Sequence, residues 1–296
     1  MSRNLKGSLF LVAAAFVWGL AFVAQKDAAD GMGVFSFTFA RSSITCITLL
    51  PVCLVRFRRS RAGGAPGVRA HIKTGLVMGI LLFASTVAQQ MGLSLGTSAS
   101  KSGFITALYI VIVPIMGLFI GQRPRKKVWL AVLLGLTGAA LLSLDLSESF
   151  SIGLGEGVTL ICSILFSIHI IYIDSRAGGL DSGLLNALQF CVCAVLGFAC
   201  MFIFEKPALS QFTGNLTSIL YVGVFSGAIG YTFQLVGQKY ASPALASLLM
   251  CLESVFAALG GWIIGGEVLT SLEYLGCALL LSGCVVAQLP DRRQNN

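Results

Sequence analysis

The sequence predicts an all-α integral membrane protein with ten transmembrane helices, arranged as two inverted five-helix repeats. Three observations carry this. Of 296 residues, 56% are hydrophobic and 11% charged, with a mean hydropathy of +0.88. A soluble globular chain carries about 25% charged residues, so the charge here is too sparse to coat a water-facing surface. The apolar residues fall in continuous runs rather than the period-two pattern of a membrane β-barrel. Finally, the second half repeats the first at a shift of 145 residues.

The ten runs are 7–25, 34–55, 74–95, 99–121, 128–144, 152–173, 183–204, 214–236, 243–265 and 272–289. A helix needs about 20 residues to cross ~30 Å of hydrocarbon, so each run fits one span. The first is too long for a secretory h-region and is followed by further spans, so it reads as a retained helix. The longest polar gap, Arg56 to Lys73, is too short for a soluble domain. Residues 1–296 therefore form a single membrane domain, with the first repeat at 1–148 and the second at 149–296.

The net charge of +8 could suggest nucleic acid, but its placement argues for a bilayer as partner. The N-terminus, the even-numbered loops and the C-terminus carry 16 Lys and Arg residues, from Arg3 and Lys6 to Arg292 and Arg293. The odd-numbered side has only Lys26, Lys101 and Lys206. The positive-inside rule then predicts a multi-pass plasma-membrane protein with both termini cytoplasmic. Nucleic acid is not an expected partner.

In the repeat, the stretch from Gly92 to Gln122 lies over Gly237 to Glu267 without a gap. Gly92 meets Gly237, Gln89 meets Gln234, Gly121 meets Gly266, Gly138 meets Gly283 and Leu144 meets Leu289. A shift of 148 lays Trp18 on Phe166 and Arg41 on Gln189. Five spans per repeat is an odd number, so the second repeat is upside down relative to the first. Inverted halves suit a transporter, because they can exchange conformations and open a central site to either side. Glycine pairs such as Gly117-xxx-Gly121 and Gly223-xxx-Gly227 let helices approach closely.

A charge at bilayer depth costs at least ~2.5 kcal/mol on insertion scales, so each one needs a partner, a watery cavity or a role. Arg41 shares a helix face with Thr38, Thr45 and Thr48, a stripe expected to face the protein interior. It could contact an anion or carboxylate, or serve as a structural arginine tied to backbone carbonyls. Glu253 follows Pro243 by ten residues, ~15 Å along a helix, which predicts a place near the midplane. Ala246, Met250 and Ala257 share its face. A carboxyl there could load and release a proton or bind an amine; the structural alternative is fixation by hydroxyls or helix ends.

Further candidates are polar or aromatic residues inside spans. Gln89 and Gln234 occupy matching places in the two halves and could serve one central site, or bond helix to helix. Asn186 and Gln189 share a face of the seventh span, and Ser102 and Tyr109 one of the fourth. Trp18 and His169 lie in the first helix of each repeat, and Lys101 begins the fourth span, where it could simply snorkel to the surface.

Enzyme chemistry finds no support in the motifs. Ser98-Ala-Ser-Lys101 matches S-x-x-K, but no SDN or KTG element accompanies it. HExxH and Walker A patterns are absent. The nine cysteines sit in or beside apolar segments and read as small hydrophobes with free thiols. No metal, no cofactor and no enzymatic activity is expected.

Four stretches resemble the EamA-type branch of the drug/metabolite transporter superfamily: "VAAAFVWGLAFVAQK", "FTFARSSITCITLLPV", "YIVIVPIMGLFIGQRP" and "LESVFAALGGWIIGGEVLTSLEYLGCALLLSGCVVA". The resemblance covers the whole chain. It implies that the first four helices of each half surround a central cavity, with both termini cytoplasmic. It also implies that the fifth and tenth helices, 128–144 and 272–289, pack outside and support a homodimer. Arg41 and Glu253 match recurring charged positions of the family, while Ser254 stands where proline is common. The expected function is a secondary active transporter of small polar metabolites, an exporter of amino acids or related compounds by alternating access. Arg41 would bind a carboxylate, and Glu253 an amine or a coupling proton. The alternatives are an exporter of cationic drugs or toxic compounds, and a non-transporting membrane scaffold or sensor.

Overall fold

The computed structural model describes residues 3–62, 67–143, 153–265 and 268–289. Arg292 and Arg293 of the charge asymmetry, and Leu144 and Gly266 of the repeat, lie outside the described residues. Among those described there are helices and no strands. Among the described residues nine helices are long and apolar enough to cross a membrane, or ten if a bent pair at the N-terminus is counted as one span.

That first span is α1 (Arg3–Gly19) and α2 (Ala21–Gly31), bent by 41°. The other spans of the first half are α3 (Val34–Ala62), α4 (Val68–Ser94), the pair α5 (Ala99–Ala107) and α6 (Tyr109–Phe119), and α7 (Lys126–Ser143). The second half begins with α8 (Leu154–Arg176) and α9 (Ser182–Phe204), and a short α10 (Leu209–Gly214) follows. The eighth span joins α11 (Leu216–Tyr221), a π-helical segment Val222–Gly230 and α12 (Tyr231–Gly237). The pair α13 (Pro243–Met250) and α14 (Glu253–Gly265) is the ninth, and α15 (Ser271–Gln288) the tenth.

Hydropathy predicts unbroken helices at the fourth and ninth spans, but both are interrupted. At Leu108 the amide bonds the carbonyl of Ile105, three residues back. In the ninth span Leu252 bonds Leu249 and Ser254 bonds Cys251, again three back. These are tight 3₁₀ turns, a feature that often marks a hinge within a helix. Proline causes neither directly: Pro114 lies six residues beyond the first turn, and the second has Ser254 where the family commonly has proline.

Packing pairs the halves across one another. α3 lies along α9, α7 along α15, α1 against α12 and α14, and α8 against α4 and α6. Each contact of one half thus recurs in the other with the roles exchanged, as two inverted repeats require. The α7–α15 contact is close because Gly138 and Gly276 face each other: a Cβ on Gly138 would lie 2.6 Å from the Gly276 carbonyl oxygen. The small-residue faces of the fifth and tenth spans therefore meet within one chain. Their opposite faces present Leu130, Leu133, Leu281 and Val285, exposed side chains suited to lipid.

Candidate functional site

Between the halves lies a cavity of about 550 Å³. Its wall is built by spans one to four of the first half and by spans six, eight and nine. The fold places its carboxyl where a chain break opens the helix ladder, while Arg41 projects from the continuous helix α3. Met250 is the last residue of α13 and Glu253 the first of α14, so the carboxyl emerges at the 3₁₀ turn. Trp18 stands just ahead of the bend between α1 and α2, and Tyr109 just after the turn at Leu108.

Six of the residues singled out from the sequence line this cavity: Trp18, Arg41, Gln89, Tyr109, Gln234 and Glu253. Glu253 is 6% exposed and accepts a hydrogen bond from the Tyr109 hydroxyl at 3.3 Å. Arg41 is 7% exposed; its guanidinium lies 5.6 Å from the Phe37 ring, and its Nε has no hydrogen-bond partner. Among the described residues no ion pair joins Arg41 to Glu253 or to any other carboxylate. Gln89 donates to Thr106 Oγ1 at 3.2 Å, while the buried Oε1 of its repeat partner Gln234 has no partner. The cavity thus offers a buried cation, a buried carboxyl and an open amide oxygen.

The other four candidates are elsewhere. His169, Gln189 and Asn186 form one buried chain behind the wall. His169 Nε2 lies 3.1 Å from Gln189 Oε1, and Gln189 Nε2 donates to Asn186 Oδ1 at 2.8 Å. Asn186 Nδ2 in turn reaches the carbonyls of Gly227 and Ala228 at 3.1 and 3.2 Å, and Thr232 Oγ1 at 2.8 Å. This network ties α8 and α9 to the π-helical segment. The implied ring of eight cavity helices is therefore one short: α9 contributes no side chain to the wall, because its polar face is taken up by these bonds. Lys101 lies in the first turn of α5, where its amide donates to the Ser98 hydroxyl at 3.2 Å. The S-x-x-K stretch is a helix cap.

Gln25, Thr106, Ser226 and Tyr231 also line the cavity and were not singled out. The Trp18 indole N–H donates to the Ser226 carbonyl at 3.3 Å, and its ring centroid is 4.9 Å from that of Tyr231. The Ser226 carbonyl also accepts from the Tyr231 amide, and a carbonyl shared in this way leaves no mark in hydropathy. Gln25 had a readable signal, being one helical turn beyond the bend and polar within an apolar run. No group of His, Cys, Asp and Glu among the described residues is placed to hold a metal ion.

A sequence profile of the EamA-like transporter family matches residues 5–144 and again residues 153–288. The chain belongs to this family. Among relatives of the EamA-like chain, an uncharacterized transporter of Archaeoglobus fulgidus is 27% identical over 288 residues, covering 97% of this chain and 87% of the relative. The uncharacterized inner membrane transporter YedA of Escherichia coli K12 is also 27% identical, over 296 residues, covering 96% and 90%. A solved crystal structure superposes with a TM-score of 0.80 at 20% identity, covering 99% of this chain and all of the other, and so shares the fold. This EamA-like protein is a multi-pass membrane transporter, and its partners are the bilayer and a small-molecule substrate.

Proposed function

We propose that the protein is a secondary active exporter of amino acids or related zwitterions, working by alternating access. The observation that carries this is the pair of buried, opposite charges on one cavity, Arg41 and Glu253, left unpaired with each other. Burying two unpaired charges is costly in protein and lipid alike. A ligand carrying a carboxylate and an amine would offset both costs at once, with Arg41 taking the carboxylate and Glu253 the amine. Proton and amine then compete for the same carboxyl, which would couple inward proton movement to outward substrate movement. Residues 1–148 and 149–296 would rock against each other about the turns at Leu108 and Cys251–Leu252. The basic even-numbered loops favour cytoplasmic termini in the plasma membrane. Contact between the lipid-facing sides of α7 and α15 in two copies would give the homodimer.

A second reading, export of cationic compounds, is favoured by the aromatic rings of Trp18, Tyr109, Phe166 and Tyr231 around Glu253. Arg41 in the same wall weighs against it.

The test is flux in proteoliposomes against a panel of metabolites, with and without a pH gradient. Glu253→Gln is expected to cut gradient-driven flux at least tenfold and remove its pH dependence. Arg41→Ala should weaken carboxylate-bearing ligands in a thermal-shift screen and leave purely cationic ones unchanged. Unchanged flux and pH dependence in Glu253→Gln would sink the coupling role.

A further inference from the structure

A second cavity, of about 1300 Å³, opens at the even-numbered-loop end of the molecule. It belongs to no part of the transport site. One wall is the α6–α7 linker with Arg123 and Arg125 and the first turn of α7 with Lys127, whose Nζ donates to the Leu289 carbonyl; the other is the loop into α13 with Tyr240, and Pro243 at the start of that helix. Asp174, near the end of α8, supplies the carboxylate on the lining, and Gln122 Nε2 donates to it at 3.4 Å. Three cations against one carboxylate give the groove a positive field.

We infer that this groove binds the headgroup of an anionic phospholipid. The shared chemistry is a phosphate mono- or diester, and the surroundings select the lipid source over a free anion. The groove lies at the ends of the fourth, fifth, sixth, ninth and tenth spans, where chain leaves the bilayer. Its cations stand beside apolar wall residues, among them Val128 and Ala287. In α6, which ends at it, Phe119 is 86% exposed, a surface for an acyl chain. Basic pockets between helix ends at a membrane surface suit anionic headgroups, and free phosphate has no use for the apolar flank. The occupant would bridge the first half's linker and the second half's loop. The inference needs only that the chain is embedded in a bilayer, so it stands or falls apart from the substrate and coupling reading.

The experiment is native mass spectrometry of the full chain released from nanodiscs of equal phosphatidylglycerol and phosphatidylcholine, counting retained lipid. Wild type is expected to keep phosphatidylglycerol over phosphatidylcholine by at least about tenfold, because the groove carries a net two cations and each contributes a factor of about five near an anionic headgroup. Arg123→Gln combined with Arg125→Gln should lower that preference at least fivefold. Asp174→Asn removes the one lining carboxylate and should raise it, a gain that misfolding cannot mimic. Inorganic phosphate at millimolar concentration should leave the retained lipid unchanged. Equal retention of the two lipids by wild type overturns the inference, as does an unchanged preference in the arginine variant or a fall in Asp174→Asn. Displacement by inorganic phosphate would reassign the groove to the free anion and overturn the lipid assignment.

Discussion

The third spans of the two halves occupy matching places and differ in how they spend their backbone. In α4 the carbonyls of Leu81 and Leu82 accept from that helix's own Ser85 and Thr86 hydroxyls, at 2.7 and 2.8 Å. At the positions 145 residues on, Ser226 and Gly227 lie in the π-helical segment, and their carbonyls are reached by Trp18 and Asn186 from other spans. At this pair of positions the first half's carbonyls stay within their own helix, and the second half's are tied to other spans. The carboxyl follows the same division, since Glu253 has Leu108 as its equivalent. Arg41 is the converse case, with Gln189 as its equivalent, so each half brings one charge to a symmetric scaffold.

Asn186→Leu tests that contrast most severely. It takes the Asn186 donor from the Gly227 carbonyl and leaves Gln189 Nε2 without its acceptor, among fully buried side chains, while Ala228 keeps the Thr232 hydroxyl. Unsatisfied buried polar groups cost about 1–3 kcal/mol each, so a loss of at least 2 kcal/mol in denaturant unfolding is expected. Ser85→Ala in α4 removes a hydroxyl bonded only to its own helix and should change stability by under about 0.5 kcal/mol. Similar losses from both substitutions would mean that the π-helical segment is no more dependent on its neighbours than α4.

Much of this scaffold was legible in the sequence, and the reasons are physical. A bilayer demands continuous apolar runs and inward-facing polar residues, so the spans, the buried face of Arg41 and the Gln89–Gln234 pair could all be read. Hydropathy does not report which i→i−n bond a backbone makes. The turns at Leu108 and Cys251–Leu252 and the π-helical segment, free of proline and set in ordinary apolar sequence, were therefore invisible. His169, Asn186 and Gln189 were rightly inward, yet periodicity cannot say whether inward polar groups face a cavity or one another. The cavity's Ser226 and Tyr231 gave no signal beyond a hydroxyl and a ring in an apolar run.

The second spans make the comparison again at their first residues, with smaller energies. α9 is capped by its own Asp181, whose Oδ1 accepts from the Leu184 amide at 3.0 Å. α3 has Gly33 at that place, and borrows a carboxylate from the other half: Glu205 accepts from the Phe35 and Ser36 amides at 2.9 and 2.8 Å, and from the Ser36 hydroxyl at 2.6 Å. The helix start needs an acceptor either way. Glycine at position 33 makes room, since a Cβ there would overlap the Glu205 carboxylate. Glu205→Ala should cost about 1–2 kcal/mol, and Gly33→Ala should be destabilising in wild type but milder in the Glu205→Ala background. Additive losses would show that the two residues do not meet.

Asp181 supplies the finest distinction, because its cap is also a charge site. Burial works against its ionised form, but the Leu184 amide and the Arg56 guanidinium, 2.5 Å away, outweigh it and hold the carboxyl below its ordinary range. The Asp181 amide meanwhile donates to His71 Nε2 at 3.0 Å, and Lys239 donates to the neighbouring Leu180 carbonyl. A folded-state value below the unfolded one stabilises at neutral pH, and that contribution fades as pH falls through the folded value. Asp181→Asn should therefore cost about 1 kcal/mol at pH 7, mostly from the weakened cap, since the partly exposed ion pair adds little. The gap from wild type should stay level from pH 8 to 5 and close only below about pH 4, where the wild-type carboxyl takes up its proton. A gap that closed well above pH 5 instead would mean that the Leu184 amide and Arg56 do not hold this carboxyl low, and that the cap of α9 works without its charge.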